Sequence, residues 1–148
     1  MFIDDVTSSG AMPVLEASLR FASQRLRLIA GNIANISTPD YRQRDVSVSG
    51  FRSELARAID ARRSASGGER GELGLRSTRE LRVYGPGSSS FDLTPRTTSG
   101  NVLFHDRNNR DTEGLMQDLV ETTQAYRAAA ELLRGRLESI RSAIAQRA

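Results

Sequence analysis

Two long stretches of heptad-spaced apolar residues, one near each end of the chain, constrain this sequence more than any other feature. The first is a series whose spacing alternates between four and three: Leu15, Leu19, Ala22, Leu26, Ile29, Ile33 and Ile36. This spacing places every member on one face of an α-helix, at the a and d positions of a coiled coil. Pro13 suits the first turn, where its missing N–H is not needed. We therefore predict an amphipathic helix over residues 13–35, about 35 Å long.

The same predicted helix carries a second apolar stripe. Val14, Phe21 and Leu28 follow one another at seven-residue intervals, at heptad position c. At about 100° per residue, this position lies far around the helix from the a/d seam. A helix that covers one core carries polar residues there, so two stripes predict two partners. The alternative is one broad core that wraps most of the helix, as in the central helix of a bundle.

The C-terminal region repeats the heptad pattern. Its series keeps the alternating spacing as far as residue 133 and then shifts by one residue: Leu115, Leu119, Thr122, Tyr126, Ala129, Leu133, Leu137, Ile140 and Ile144. Such a shift relaxes a left-handed supercoil locally. Asp111 suits the N-cap of a helix over residues 112–146, about 52 Å long. Glu113 adds the negative charge that the helix dipole favours in the first turn.

The simplest way to bury both seams is to pair the two helices antiparallel. Because their predicted lengths differ by about 17 Å, one helix must extend beyond the other and expose apolar residues. Exposed stripes of this kind mark association surfaces. We therefore predict a mainly α fold, in which two long amphipathic terminal helices pack as a coiled coil and leave apolar surface for other subunits.

The region between the two periodic segments differs from them in composition. It includes RRSASGGERGE and YGPGSSS, which are rich in turn-forming residues and poor in large apolar side chains. We interpret it as flexible in the free subunit, with one short strand near Leu81, Val83 and Tyr84. The chain is thus predicted to contain an N-terminal core helix at 1–36, an extension with a short helix at 37–61, a flexible, mostly irregular middle at 62–110, and a C-terminal core helix at 111–148.

Composition excludes several classes of protein. The 148 residues include no cysteine and one histidine, His105, which rules out a disulfide scaffold, thiolate zinc sites and a two-histidine metal site. The sequence has no phosphate-binding loop, zinc-protease motif or nucleophile elbow. We therefore expect no enzyme activity, no cofactor and no metal.

Charge and hydropathy limit the partners and the location. The net charge is +3, and the excess lies in residues 62–82, which hold six arginines and three glutamates. This is weaker than the basic face of a nucleic-acid-binding protein, so no nucleic-acid partner is expected. No apolar run reaches the ~18 residues of a membrane span. The N-terminus lacks a signal-peptide pattern, which predicts a cytoplasmic location or export without a cleaved signal.

The end of the first predicted helix is the most specific segment of the chain. It reads Asn32-Ile33-Ala34-Asn35-Ile36-Ser37-Thr38-Pro39-Asp40-Tyr41. The two asparagines lie three residues apart on one face of the last turn, where their amides can bind the last carbonyl groups. Thr38 precedes Pro39 and is therefore pushed to extended backbone, which stops the helix. The alternative is an ordinary helix end with asparagine caps.

This segment belongs to a longer run, LRFASQRLRLIAGNIANISTPDYRQRDV. The run resembles the N-terminal signature of the flagellar basal-body rod protein family, in which an amphipathic helix ends in N-[IL]-A-N-x-x-T-P-G-Y or a close variant. Asp40 stands where the family usually has glycine. The resemblance covers about residues 13–61 and 108–146.

Two further segments narrow the resemblance to the proximal rod proteins. Phe51, Leu55 and Ile59 resemble the short helix that follows the signature in those proteins. The C-terminal run YRAAAELL, which starts at Tyr126, is also similar to that family.

The resemblance implies a structural subunit of the bacterial flagellar proximal rod. Such proteins are exported through the flagellar type III apparatus without a cleaved signal and assemble in the basal body as a periplasmic helical tube. Paired terminal helices form the core of the tube, which links the export gate and MS-ring to the distal rod. The implied partners are other rod subunits, copies of the chain itself, and basal components associated with the export gate and MS-ring.

Assembly contacts are then expected along both terminal helices and at the corner that follows the first. The candidate residues are Leu15, Leu19, Phe21, Leu26, Leu28, Ile29, Asn32, Ile33, Asn35, Thr38, Pro39, Tyr41, Leu115, Leu119, Tyr126, Leu133, Leu137 and Ile140.

Two hypotheses from other classes remain open at this point. The first is a cytoplasmic coiled-coil adaptor with a flexible basic loop, which would form a small oligomer of defined size. The second is a weak nucleic-acid binder that uses the arginines of residues 62–82, whose affinity would fall steeply with salt.

Overall fold

A computed structural model describes residues 10–68, 70–85, 90–97 and 111–146. Within these ranges the elements follow in the order α1 (Met12–Ala34), β1 (Arg44–Asp45), α2 (Val48–Ser66), β2 (Leu81–Val83), β3 (Phe91–Leu93), β4 (Arg96–Thr97) and α3 (Thr112–Ala145). The fold is mainly helical, as predicted.

Both terminal helices lie within one residue of their predicted bounds. α1 has 23 residues and α3 has 34, so α3 is the longer helix. Pro13 lies in the first turn of α1. Asp111 caps α3, since its carboxylate accepts a hydrogen bond from the backbone N–H of Gly114 at 2.9 Å. Local signals, namely the apolar period and the capping residues, were sufficient to place these helices.

α1 and α3 pack against each other in antiparallel orientation. Arg25, in the middle of α1, binds Thr122 in the first half of α3. Gly10, just before α1, lies beside the guanidinium of Arg136 in the second half of α3. The last turns of α3 therefore extend beyond Met12, the first residue of α1.

The pairing of the two helices is confirmed, but their coiled-coil packing is not. Of the predicted a and d residues of α1, Ala22 and Ile29 are buried. Four others are only half-buried: Leu15, Leu19, Leu26 and Ile33. The buried face of α1 is rotated away from the a/d seam toward the second stripe, because α1 also packs against another layer of the chain.

The second stripe of α1 packs on that other layer. Phe21 stacks on Phe51 of α2, with ring centroids 4.0 Å apart and planes inclined by 7°. Phe91 of β3 approaches Phe51 at 5.9 Å. Val14 and Leu28 pack against the same cluster. The two stripes thus face two partners, and both partners belong to the same chain.

The middle of the chain contributes more to this core than its composition predicted. Leu73, Leu75, Leu81 and Phe91 are 0–5% exposed. These residues are isolated among polar and small neighbours, so each segment looks poor in apolar side chains. The fold brings them together beneath α1 and α2, and this corrects the expectation that the region has little to pack.

The strands of the middle form two short antiparallel pairs. β2 pairs with β3, so that Leu81 lies opposite Leu93 and Val83 opposite Phe91. The strand expected near Leu81 is present, although Tyr84 lies just outside it. β1 pairs with β4, which brings the chain back to the region that follows α1.

The short helix expected after the signature is α2, which contains Phe51 and Ile59. It continues to Ser66, beyond the predicted boundary at residue 61. The helix ends at Gly67, whose φ of 71° lies in the left-handed region that closes helices.

Candidate assembly surfaces

The first asparagine of the signature forms a buried corner at the end of α1. Asn32 is 3% exposed. Its Nδ2 donates to the carbonyl oxygen of Arg44 at 2.8 Å, and its Oδ1 accepts from the N–H of Arg44 at 3.1 Å. The hydroxyl of Tyr41 donates to the same Oδ1 at 3.1 Å. The side-chain amide thus pairs with a peptide group much as a neighbouring strand would, and it determines where β1 begins.

The second asparagine closes the helix. Asn35 donates from Nδ2 to the carbonyl oxygen of Gly31 at 2.8 Å, which satisfies one of the last carbonyl groups of α1. Its backbone carbonyl accepts from the N–H of Thr38 at 2.9 Å. Thr38 and Pro39 are exposed. Hydrogen bonds thus join Asn32 to Tyr41 and Asn35 to Thr38 where α1 ends.

Asp40 explains how this turn forms without the glycine of the family pattern. Its φ is 58°, in the left-handed region that glycine adopts most easily. Aspartate and asparagine tolerate this conformation better than other side chains. The turn after Pro39 is therefore compatible with aspartate.

Substitutions at this position test the backbone conformation. We expect Asp40→Ala to lower the free energy of unfolding by about 1 kcal/mol, since alanine pays the steric cost of the left-handed region. Asp40→Gly should retain the stability of the wild-type chain. Both are measured by urea unfolding. Ser37→Ala, at an exposed position nearby, serves as control. It should change the free energy of unfolding by less than about 0.5 kcal/mol. Equal stability of the two alanine variants would contradict the left-handed assignment.

Arg25 lies where α1, β1 and α3 meet, and it is not among the residues predicted from the sequence. It is 5% exposed. Its Nε and Nη2 donate to the two carboxylate oxygens of Asp45 at 3.0 and 2.9 Å. Nη2 also donates to Asp118 at 2.8 Å, and Nη1 donates to the hydroxyl of Thr122 at 2.9 Å. One side chain thus joins three elements of the fold.

The charge of Arg25 is compensated within this network. Burial lowers the pKa of Arg25, but hydrogen bonds and Coulombic attraction to Asp45 and Asp118 together raise it by more, so the net shift is upward. The guanidinium therefore stays charged between two carboxylates. The sequence does contain a signal for this site. The helical neighbours of Arg25 at three and four residues on either side are all apolar: Phe21, Ala22, Leu28 and Ile29.

A second side-chain amide attaches the β2–β3 hairpin to α1. Gln24 donates from Nε2 to the carbonyl oxygen of Phe91 at 2.9 Å and accepts at Oε1 from the N–H of Leu93 at 2.8 Å. Gln24 therefore pairs with the edge of β3 in the way that Asn32 pairs with Arg44. Together, these two amides place the small layer on one side of α1.

Glu54 fixes the chain that runs between α2 and β2. Its carboxylate accepts from Nε of Arg57 at 2.9 Å and from the N–H of Arg76 at 2.6 Å. Arg57 also donates to the carbonyl oxygen of Gly74 at 2.8 Å. The hydrogen bond from Arg57 lowers the pKa of Glu54, and burial opposes this shift only in part. The small layer is thus held by specific polar contacts as well as by its core.

An apolar groove lies between α1 and α3 on the side away from the small layer. It has a volume of about 340 Å³ and brings together four predicted assembly residues: Leu19, Tyr126, Leu133 and Leu137. Arg134, Glu138 and Arg141 also line it, so its charged side chains carry a net positive charge. Tyr126 is 39% exposed and Leu137 38% exposed, so among the residues that the structure describes this groove offers exposed apolar surface.

The remaining predicted residues differ in how much surface they offer. Four are buried, and their surface is used within the chain: Phe21, Ile29, Asn32 and Leu115. Leu28 packs on the small layer. Five others are half-buried along the two terminal helices: Leu15, Leu26, Ile33, Leu119 and Ile140. Any contact with a neighbour therefore falls on the half-buried and exposed members.

A second groove, of about 260 Å³, lies where α1, α2 and α3 meet. Phe51, Leu55 and Ala125 contribute to its lining. Within the described ranges, no cluster of acidic or histidine side chains suited to a metal ion is found. None of the helices described is long and apolar enough to cross a membrane. His105 lies outside the described residues.

Comparison with known proteins places the chain among rod proteins. No family model matches it. The flagellar basal body rod protein FlgB of Salmonella typhimurium is 33% identical over 105 residues, which cover 63% of this chain and 72% of that protein. FlgB of Yersinia enterocolitica is 24% identical over 137 residues, which cover 93% of this chain and 95% of that protein. With this identity over more than two thirds of the Salmonella protein, the chain belongs to the FlgB family of flagellar basal body rod proteins.

Proposed function

We propose that this chain is a structural subunit of the proximal rod of the bacterial flagellum and that it assembles by helix–helix packing. The observation that carries the proposal, beside family membership, is the apolar surface of α3. Six of its large side chains are 38–63% exposed: Met116, Val120, Tyr126, Leu132, Leu137 and Ile144. Apolar surface spread along a 34-residue helix favours contact with further helices.

The two layers of the chain suggest a division of roles. The core around Phe51 and the amides of Gln24 and Asn32 hold the small layer on one side of α1. The other side of α1 packs on α3, and among the described residues six large apolar side chains of α3 stay exposed. We assign the α1–α3 pair to the core of the rod tube and the small layer to its extension. Contacts between unlike patches, repeated from copy to copy, build such a tube.

The location and partners follow from the same proposal. The chain would pass through the flagellar type III apparatus without a cleaved signal and join the periplasmic rod, between the export gate and MS-ring on one side and the distal rod on the other. Its partners would be other rod subunits and copies of itself. Detection of the chain in purified basal bodies tests this location directly, and its absence there would refute the proposal. The adaptor hypothesis lacks comparable support from relatives.

A substitution on the exposed edge of the a/d seam tests the packing. Leu26 is half-buried on α1, and an aspartate there would place a charge in the interface. We expect Leu26→Asp to reduce swimming to the level of a strain that lacks the protein. The readouts are the swimming zone in soft agar and the rods recovered in basal bodies.

Arg27 provides the matched control, because it is the next residue of α1 and is exposed. Arg27→Asp should retain swimming. Circular dichroism of both purified variants separates loss of assembly from loss of folding. If Leu26→Asp folded and assembled normally, this edge of α1 would not be a contact between subunits.

A further inference from the structure

We propose that α3 carries both halves of a contact between successive copies of this chain. In this contact, a ridge formed by Glu113, Met116 and Val120 of one copy lies in the α1–α3 groove of the next. The groove is the one lined by Leu19, Tyr126, Leu133 and Leu137, with Arg134 and Arg141 at its side. The inference rests on the proposed rod function and names one partner, a second copy.

The ridge is the more exposed of the two surfaces. Met116 is 44% and Val120 54% exposed, and they lie four residues apart, on one face of α3. Side chains in such a row form a ridge that packs into a groove of another helix. The groove of about 340 Å³ between α1 and α3 has this form, and its lining is largely apolar.

A single copy cannot fill its own groove with its own ridge. Met116 and Leu137 are 21 residues apart on one continuous helix, which separates them by about 31 Å. A ridge of this kind that occupies the groove must therefore come from another molecule. Because ridge and groove are different surfaces, the contact is head-to-tail and repeats from copy to copy instead of closing as a two-fold dimer.

Charge along α3 favours the same arrangement. Residues 111–121 contain four acids and no arginine, whereas residues 132–146 contain three arginines and one glutamate. Within the described residues, Glu113, Arg134 and Arg141 take part in no ion pair. A ridge placed on a groove joins opposite charges, whereas contact between two ridges or between two grooves joins like charges and is disfavoured.

A parallel stagger of 21 residues between two copies of α3 satisfies both the apolar contact and the pairing of opposite charges. It places Leu137 of one copy beside Met116 of the next and Arg134 beside Glu113. Both pairs share this one stagger because Glu113 precedes Met116 by three residues and Arg134 precedes Leu137 by three.

The absence of cysteine from the chain allows a direct test by cross-linking. Met116→Cys and Leu137→Cys are expressed singly and together in a strain that lacks the native protein, and basal bodies are oxidised. A disulfide-linked dimer is expected at least tenfold more abundant with both variants than with either alone. Since each chain has one cysteine, every disulfide joins two molecules. Ser139→Cys, exposed on another face of α3, replaces Leu137→Cys as control and should give no such increase.

The outcomes distinguish this inference from the proposed function. Dimers formed equally by one variant alone would show a symmetric contact and overturn the inference. A product between Leu137→Cys and a different rod protein, or rods that contain both variants but no such dimer, would overturn it and leave the rod function intact. Absence of the chain from basal bodies would refute the rod function itself.

Exchange of charge provides a second test in the same cross-linking assay. Arg134→Glu should reduce the dimer at least tenfold, and Glu113→Arg in the partner copy should restore it. Failure of the second substitution to restore the dimer would show that these two residues do not meet.

Discussion

Replacing Arg25 with alanine is expected to lower the free energy of unfolding by about 3 kcal/mol, as when one partner of a buried ion pair is removed. The substitution leaves Asp45 and Asp118 close together without a cation and removes the donor to Thr122. The two carboxylates are 25% and 37% exposed. Water can therefore solvate these carboxylates in part once Arg25 is removed. The expected loss of stability thus lies at the lower end of the range for buried ion pairs. Urea unfolding of the purified chain measures it.

Arg27 is the matched control for this experiment. It lies two residues further along α1, is exposed, and its replacement by alanine should change the stability by less than about 0.5 kcal/mol. Arg25→Lys should fall between the two alanine variants, because an ammonium cannot form the planar fork to Asp45 and also reach α3. If Arg25→Ala were as stable as Arg27→Ala, the network would contribute no net stability to the fold.

Replacement of Phe91 with alanine is expected to lower the free energy of unfolding by about 3–5 kcal/mol. Phe91 is completely buried and contacts the ring of Phe51 at 5.9 Å. Alanine would leave a cavity between α1, α2 and the hairpin, and the neighbouring groups could close it only in part. Urea unfolding measures this loss. Because the chain has no tryptophan, the transition is followed by circular dichroism.

Tyr84 offers an aromatic control on the same hairpin. It is 49% exposed, and its hydroxyl donates to Asp92 at 2.9 Å on the surface. Tyr84→Ala should therefore cost at most about 1 kcal/mol. A loss below 1 kcal/mol for Phe91→Ala as well would support the interpretation of residues 62–110 as a loose, flexible segment and contradict the core described above.

The signature at the end of α1 was largely predictable because its interactions are local. Asn35 binds Gly31, four residues earlier, and Asn32 binds Tyr41, nine residues later. The departure at Asp40 was also open to physical reasoning, since aspartate is among the few residues that tolerate a positive φ. The hydrogen bond from Asn32 to Arg44, twelve residues later, is less local, and the sequence pattern does not indicate it.

Arg25 was missed for the opposite reason. Its partners Asp45 and Asp118 lie 20 and 93 residues away, and many acids in the chain could have served equally well by spacing alone. The apolar neighbours of Arg25 indicate that it is buried, but they do not indicate which carboxylates compensate it. Only the packing of α3 on α1 selects Asp118.

The spacing of apolar residues determines where the two terminal helices begin and end and how much they differ in length, because a helix depends on residues three and four positions apart. The same spacing shows that α1 carries two apolar stripes. The partner of each stripe depends on contacts between segments distant in the chain. Leu73, Leu75 and Phe91 become core residues only when the small layer folds over the second stripe. Burial of that stripe rotates α1 about its axis, so that Leu19 and Leu26 remain partly exposed. The surfaces that we assign to assembly are therefore set by the tertiary packing.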